Sequence, residues 1–83
     1  MQGRRVYPES GGLLGEGEYG VIDGIWYCRP PGSEMGNLSA HTVTEYDDGT
    51  ITVSPSILIT YTDDNGARVH WHGFLEHGVW RVV

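Results

Sequence analysis

Apolar and polar positions along this chain alternate in short β-branched and aromatic runs, and no window holds an apolar pattern at helical spacing. Turn dipeptides separate the runs, which is the pattern of an all-β chain. Glu18 to Arg29 (EYGVIDGIWYCR) reads as two strands around Asp23-Gly24, because both turn positions tolerate positive φ. A single longer strand with a bulge at Gly24 is the alternative. Three more strand signals follow: HTVTEY (His41–Tyr46), ITVSPSILITYT (Ile51–Thr62) and ARVHWHGFL (Ala67–Leu75). Turns at Asp47-Asp48-Gly49, Asp64-Asn65-Gly66 and Glu76-His77-Gly78 separate them from each other and from the closing VWRVV. The prediction is a small antiparallel meander of about six strands, curled into a partly open barrel or sandwich. Pro55 cannot donate to a ladder, so it marks an edge, a bulge or the end of regular pairing.

Two stretches lack this alternation. Arg29 to Ala40, with Pro30-Pro31-Gly32 and Gly36-Asn37, reads as a long Pro/Gly loop, with room for one helical turn capped by Ser33. Residues 1–10 are polar and are expected to be mobile, while Leu13 and Leu14 are placed to dock on the core. Residues 1–83 are expected to form a single domain, with 41–83 carrying the strands and the chemistry-bearing motifs.

Composition narrows the function classes. The chain has 83 residues, a net charge of −6 and one cysteine, Cys28, so it holds no intramolecular disulfide. Eleven acidic against five basic residues argue against a nucleic-acid partner, which needs cationic groups for phosphates. The acidity suits a basic protein partner, or solubility alone. No apolar run approaches the roughly 20 residues of a membrane helix and no signal segment is evident, so no membrane association and a cytoplasmic location are expected. No cofactor is expected.

The candidate chemistry lies in Ser56, in a Ser-Pro-Ser-Ile step, and in the histidines of the strands either side, His41 and His72. A hydroxyl and an imidazole on neighbouring strands are the minimum for an activated nucleophile. Turn length decides which histidine Ser56 can reach. A two-residue Asp48-Gly49 turn puts His41 opposite Ser56; a three-residue loop puts it opposite Pro55. A two-residue Asn65-Gly66 turn puts His72 opposite Ile59, on the other side of the sheet from Ser56. A three-residue loop puts His72 opposite Leu58, making it a diagonal neighbour of Ser56. The sequence leaves both histidines open as the base.

Other groups carry weaker signals. Glu45, Asp47 and Asp63 could orient a catalytic histidine, with Glu45 the best placed because it alternates onto the face of His41. Gly36, Asn37 and their neighbours in the loop around 33–37, or the chain beside Ser56 itself, could supply backbone N–H groups to an oxyanion. Cys28, beside Trp26 and Tyr27, reads as a small buried hydrophobe rather than a nucleophile. His70 and His72 share a face, and with Cys28 and His41 they make a zinc site conceivable, although the spacing matches no named zinc motif. Trp26, Trp71, Trp80, Tyr19, Tyr27 and Phe74 read as packing residues.

The segments DGTITVSPSI and WHGFLEHGVWR resemble the BubE-like family of small β domains, over about residues 41–81. The resemblance implies a serine peptidase that cleaves at the C-terminus of a ubiquitin-like protein or its conjugates, encoded beside bacterial conjugation operons or by phages. It assigns the nucleophile to Ser56 and the base to His72. The upstream part departs from the family's cysteine- and glycine-rich loop and retains only Cys28. The rival reading is a non-enzymatic, phage-encoded acidic protein that binds and inhibits a host defence complex.

Overall fold

The computed structural model describes residues 1–8 and 12–83, and among these all regular structure is β. The strands are β1 (Arg4–Arg5), β2 (Glu18–Ile22), β3 (Ile25–Cys28), β4 (Gly36–Asn37), β5 (Thr42–Glu45), β6 (Ile51–Ser54), β7 (Ile57–Thr62), β8 (Arg68–Glu76) and β9 (Val79–Val82). They form three small sheets, ordered β1-β2-β3-β4, β5-β6 and β7-β8-β9, and no barrel closes. All pairings are antiparallel except β1 with β2.

The single meander of about six strands is therefore corrected in three places. The Ile51–Thr62 run is divided at Ser54–Pro55–Ser56, and its halves β6 and β7 enter different sheets. The Ser54–Pro55 peptide is cis, and proline brings no N–H to either ladder. The expected long loop is interrupted by β4, which pairs Gly36 with Cys28 and Asn37 with Tyr27. No helical turn forms there; Ser33 is buried, its N–H donating to the Pro30 carbonyl in a tight turn.

The N-terminal segment expected to be mobile is tied down over residues 1–8. Gly3 N–H donates to the Gly78 carbonyl, Trp80 N–H to Met1, and Val6 N–H to Tyr19. Arg5 lies between the rings of Tyr7 and Trp26, 4.5 and 4.7 Å from their centroids. Positions 9 and 10 lie outside the described residues. Leu14 is buried while Leu13 stays 85% exposed.

Both hairpins that frame the candidate chemistry close with three-residue loops. Tyr46 pairs with Thr50 around Asp47-Asp48-Gly49, and Gly49 takes a φ of +86°. Asp48 Oδ1 holds this turn by accepting from both the N–H and the hydroxyl of Thr50, and those bonds set its carboxyl below the usual range. In the second hairpin Asp63 pairs with Ala67, and Asp63 Oδ1 accepts from the N–H groups of Asn65 and Ala67. By contrast Asp23-Gly24 is a two-residue turn, with both residues at positive φ and Ile22 opposite Ile25.

One apolar cluster joins the sheets. Tyr19 and Cys28 come from the first, Ile51 and Val53 from the second, and Ile57, Trp71, Leu75 and Trp80 from the third, with Leu38 beside them. Trp71 and Trp80 meet edge to face at 5.6 Å, and the Trp80 indole N–H donates to the Gly17 carbonyl at 2.9 Å. Gly73 gives the Trp71 indole its space: a Cβ there would lie 2.6 Å from the ring and press on the Arg81 carbonyl. With Trp71 and Leu75 turned inward, alternation sends His70 and His72 to the outer face of β8.

Candidate active site

Ser56 sits just before β7, and His72 lies on β8. The register pairs Leu58 with His72, as a three-residue second loop requires, so Ser56 and His72 are diagonal neighbours on one face. Ser56 Oγ is 2.9 Å from His72 Nε2. With His72 neutral and protonated on Nδ1, Nε2 accepts the serine O–H, which is the arrangement a hydroxyl nucleophile and its base need. No described residue bonds His72 Nδ1, and none of the three candidate acids reaches it. Glu45 is taken by Arg5, whose Nη1 donates to Glu45 Oε2 at 2.5 Å. Glu45 also lies at the far end of β5 from His41, about 13 Å at the usual strand rise. Asp63 closes its own turn, and Asp47 lies in the loop beyond Glu45.

His41 plays a different part from the one a base would play. The three-residue first loop pairs Thr42 with Ser54, which sets His41 beside Pro55. Its Nε2 lies 3.2 Å from the carbonyl oxygen of Ser56. A carbonyl only accepts, so His41 carries its proton on Nε2 and donates it. His41 Nδ1 is buried without a partner among the described residues. Of the two registers open for His41 the structure takes the one that sets it beside Pro55: it grips the main chain of Ser56 and does not touch Oγ.

The expected oxyanion loop is also corrected. Gly36 and Asn37 form β4 instead of an open loop. Gly36 is a glycine because the Ile59 side chain lies against it; a Cβ would be 2.6 Å from Ile59 Cδ1. Asn37 Oδ1 accepts the Ser39 N–H. One backbone donor does lie at Ser56 itself. The N–H of Ser56 has no partner among the described residues.

The zinc alternative is not assembled. Among the described residues no group of three or more metal-ligating side chains is gathered. Cys28 is fully buried in the core, and burial pushes its thiol up to about 12. His70 faces Thr60, one row beyond His72.

The surroundings of the Ser56–His72 pair are open. Leu58, 61% exposed, flanks His72 on one side, and Val83, whose N–H donates to the His72 carbonyl, flanks it on the other. Phe74 lies on the same face, capped by the Arg81 guanidinium 4.5 Å from its centroid. Strand alternation was the signal for these neighbours. A groove of about 260 Å³, lined by Ile25, Trp26, Leu38, Ser39, His41 and Val43, lies behind His41; Ser56 and His72 do not line it. Ser56 Oγ and His72 Nε2 therefore lie on an open sheet surface instead of a pocket floor.

No family model, curated protein or solved structure matches this chain. Among the described residues no helix is long and apolar enough to cross a membrane.

Proposed function

We propose that this protein is a small serine hydrolase acting on acyl carbonyls, a peptidase of ubiquitin-like C-termini or conjugates by the resemblance described above. The observation that carries the reading is the 2.9 Å contact between Ser56 Oγ and His72 Nε2. In the first step Oγ bonds to the carbonyl carbon as His72 Nε2 takes its proton. The tetrahedral intermediate collapses, the scissile bond breaks, and His72 returns the proton to the leaving amine or alkoxide. Water then attacks the Ser56 ester, giving its proton to His72; collapse releases the acid, and Oγ recovers the proton. The N–H of Ser56, without a partner among the described residues, is the donor assigned to the developing oxyanion. The open surface around the pair favours a protein substrate, which brings its own contact area.

Hydrolysis of p-nitrophenyl acetate tests this reading. A burst of one equivalent of p-nitrophenolate, lost in Ser56→Ala and in His72→Ala, is expected. A rate equal to buffer with folded protein overturns it and leaves the acidic binding protein as the better account.

A further inference from the structure

The edge of β7 carries an inference that rests on the hydrolase reading and extends it to how the substrate is held. Among the described residues β7 pairs with β8 only and forms the rim of its sheet. Its narrow pairs are fixed by the Asp63–Ala67 bond: Tyr61–Val69, Ile59–Trp71 and Ile57–Gly73 exchange backbone hydrogen bonds. The N–H and C=O groups of Leu58, Thr60 and Thr62 therefore point away from β8. None of these groups has a partner among the described residues, and all three residues are exposed. The donation of Val83 N–H to the His72 carbonyl, on the opposite side of β8, follows the same alternation.

Such an edge is unusual. Natural sheets protect their rims with charge, proline or bulges, whereas Ile57–Thr62 reads Ile-Leu-Ile-Thr-Tyr-Thr, neutral and strongly β-forming. The edge also leads somewhere. Continuing its alternation back by one step reaches Ser56, whose carbonyl points the same way. That carbonyl is already occupied, by His41 Nε2 at 3.2 Å. The free ladder thus has full rungs at Leu58, Thr60 and Thr62, and it is sealed by His41 at the rung of the nucleophile.

We infer that an extended segment of the substrate polypeptide adds to this edge as a further strand, pairing with the main chain of Leu58 and Thr60. Its ladder ends where His41 blocks the Ser56 rung, and this delivers the next substrate carbonyl to Ser56 Oγ. Affinity comes from backbone bonds, so it depends weakly on side chains. The side chains of the added strand that alternate outward lie beside Leu58 and His72.

Peptidyl diphenyl phosphonates, which trap a serine nucleophile, test the inference. A one-residue and a five-residue alanine phosphonate are compared by their rates of covalent labelling at Ser56. The five-residue probe is expected to label at least about tenfold faster, as two net backbone hydrogen bonds allow. N-methylation of its alternate amides should remove that advantage in one register and leave it in the other. Thr60→Pro removes an outward N–H without taking a bond from β8, so it should slow the long probe and leave the short one unchanged. Equal rates for the two lengths, or equal effects of both methylation registers, overturn the inference while the hydrolase reading stands. If neither probe labels Ser56, the hydrolase reading fails. The edge is then judged alone, by whether the unreactive five-residue peptide protects the Leu58 and Thr60 amides from hydrogen exchange; no protection overturns it. Protection of those amides without peptide, with self-association of the protein, assigns the edge to a second copy and also overturns it.

Discussion

Replacing His41 by phenylalanine separates the roles of the two histidines. The substitution keeps a flat ring beside Trp26 and Val43 but removes the Nε2–H that holds the Ser56 carbonyl at 3.2 Å. A part-buried hydrogen bond of this kind contributes about 1 kcal/mol net, and the carbonyl left behind adds up to another ~1 kcal/mol where water cannot reach it. The expected loss of stability is about 1–2 kcal/mol, a drop of roughly 1 M in the urea midpoint at the m-value of a small domain. Ser56 would also be less firmly placed, and its labelling by a fluorophosphonate should slow by about tenfold, since loose positioning of reacting groups is costly. His72→Ala removes the proton acceptor itself and should slow labelling by about 10²–10⁴-fold. If His41→Phe abolishes labelling while His72→Ala retains it, the assignment of His72 as base and His41 as anchor is refuted.

Two further outcomes test the packing that positions the site. Cys28 should resist thiol reagents at neutral pH until the protein unfolds, since burial raises its thiol from 9.0 to about 12. Above about pH 9 the unfolded chain ionises first, so stability should fall with rising pH by up to ~1.4 kcal/mol per unit until the folded value is reached; a urea midpoint that is level from neutral to strongly alkaline pH contradicts this. Gly73→Ala should destabilise by about 1–3 kcal/mol because the added methyl meets the Trp71 ring and the Arg81 backbone. A wild-type thermal midpoint in that variant would show that β8 and β9 can separate freely.

Much of the fold was legible because turn chemistry is local. Asp23-Gly24 has both residues at positive φ, and the strands flanking the later turns end within a residue or two of their predicted bounds. Loop length was not legible. Asp48-Gly49 suits a two-residue turn as well as Asp47-Asp48-Gly49 suits a three-residue one. The outcome is associated with a side chain: Asp48 captures Thr50, and Gly49 takes the left-handed position. That single residue of register moved His41 from opposite Ser56 to beside Pro55, and so from candidate base to main-chain anchor. β1 and β4 were missed because two-residue strands carry no periodicity. They exist only through partners distant in sequence, as when Gly36 fits beneath Ile59. The fate of Glu45 was hidden in the same way, since its partner Arg5 lies 40 residues upstream in a segment that composition marked as mobile. The diagonal approach of Ser56 to His72 was one of two registers the sequence allowed; the Asp63 side chain, bonding Asn65 and Ala67, accompanies the one found.

The central claim is that Ser56 is a nucleophile activated by His72. Treatment of the folded protein with a fluorophosphonate, followed by intact-mass measurement and peptide mapping, tests it most directly. The account predicts a single adduct, on Ser56, that disappears in Ser56→Ala and after prior unfolding. A folded protein that remains unmodified, or that is modified at another residue with Ser56 untouched, contradicts it.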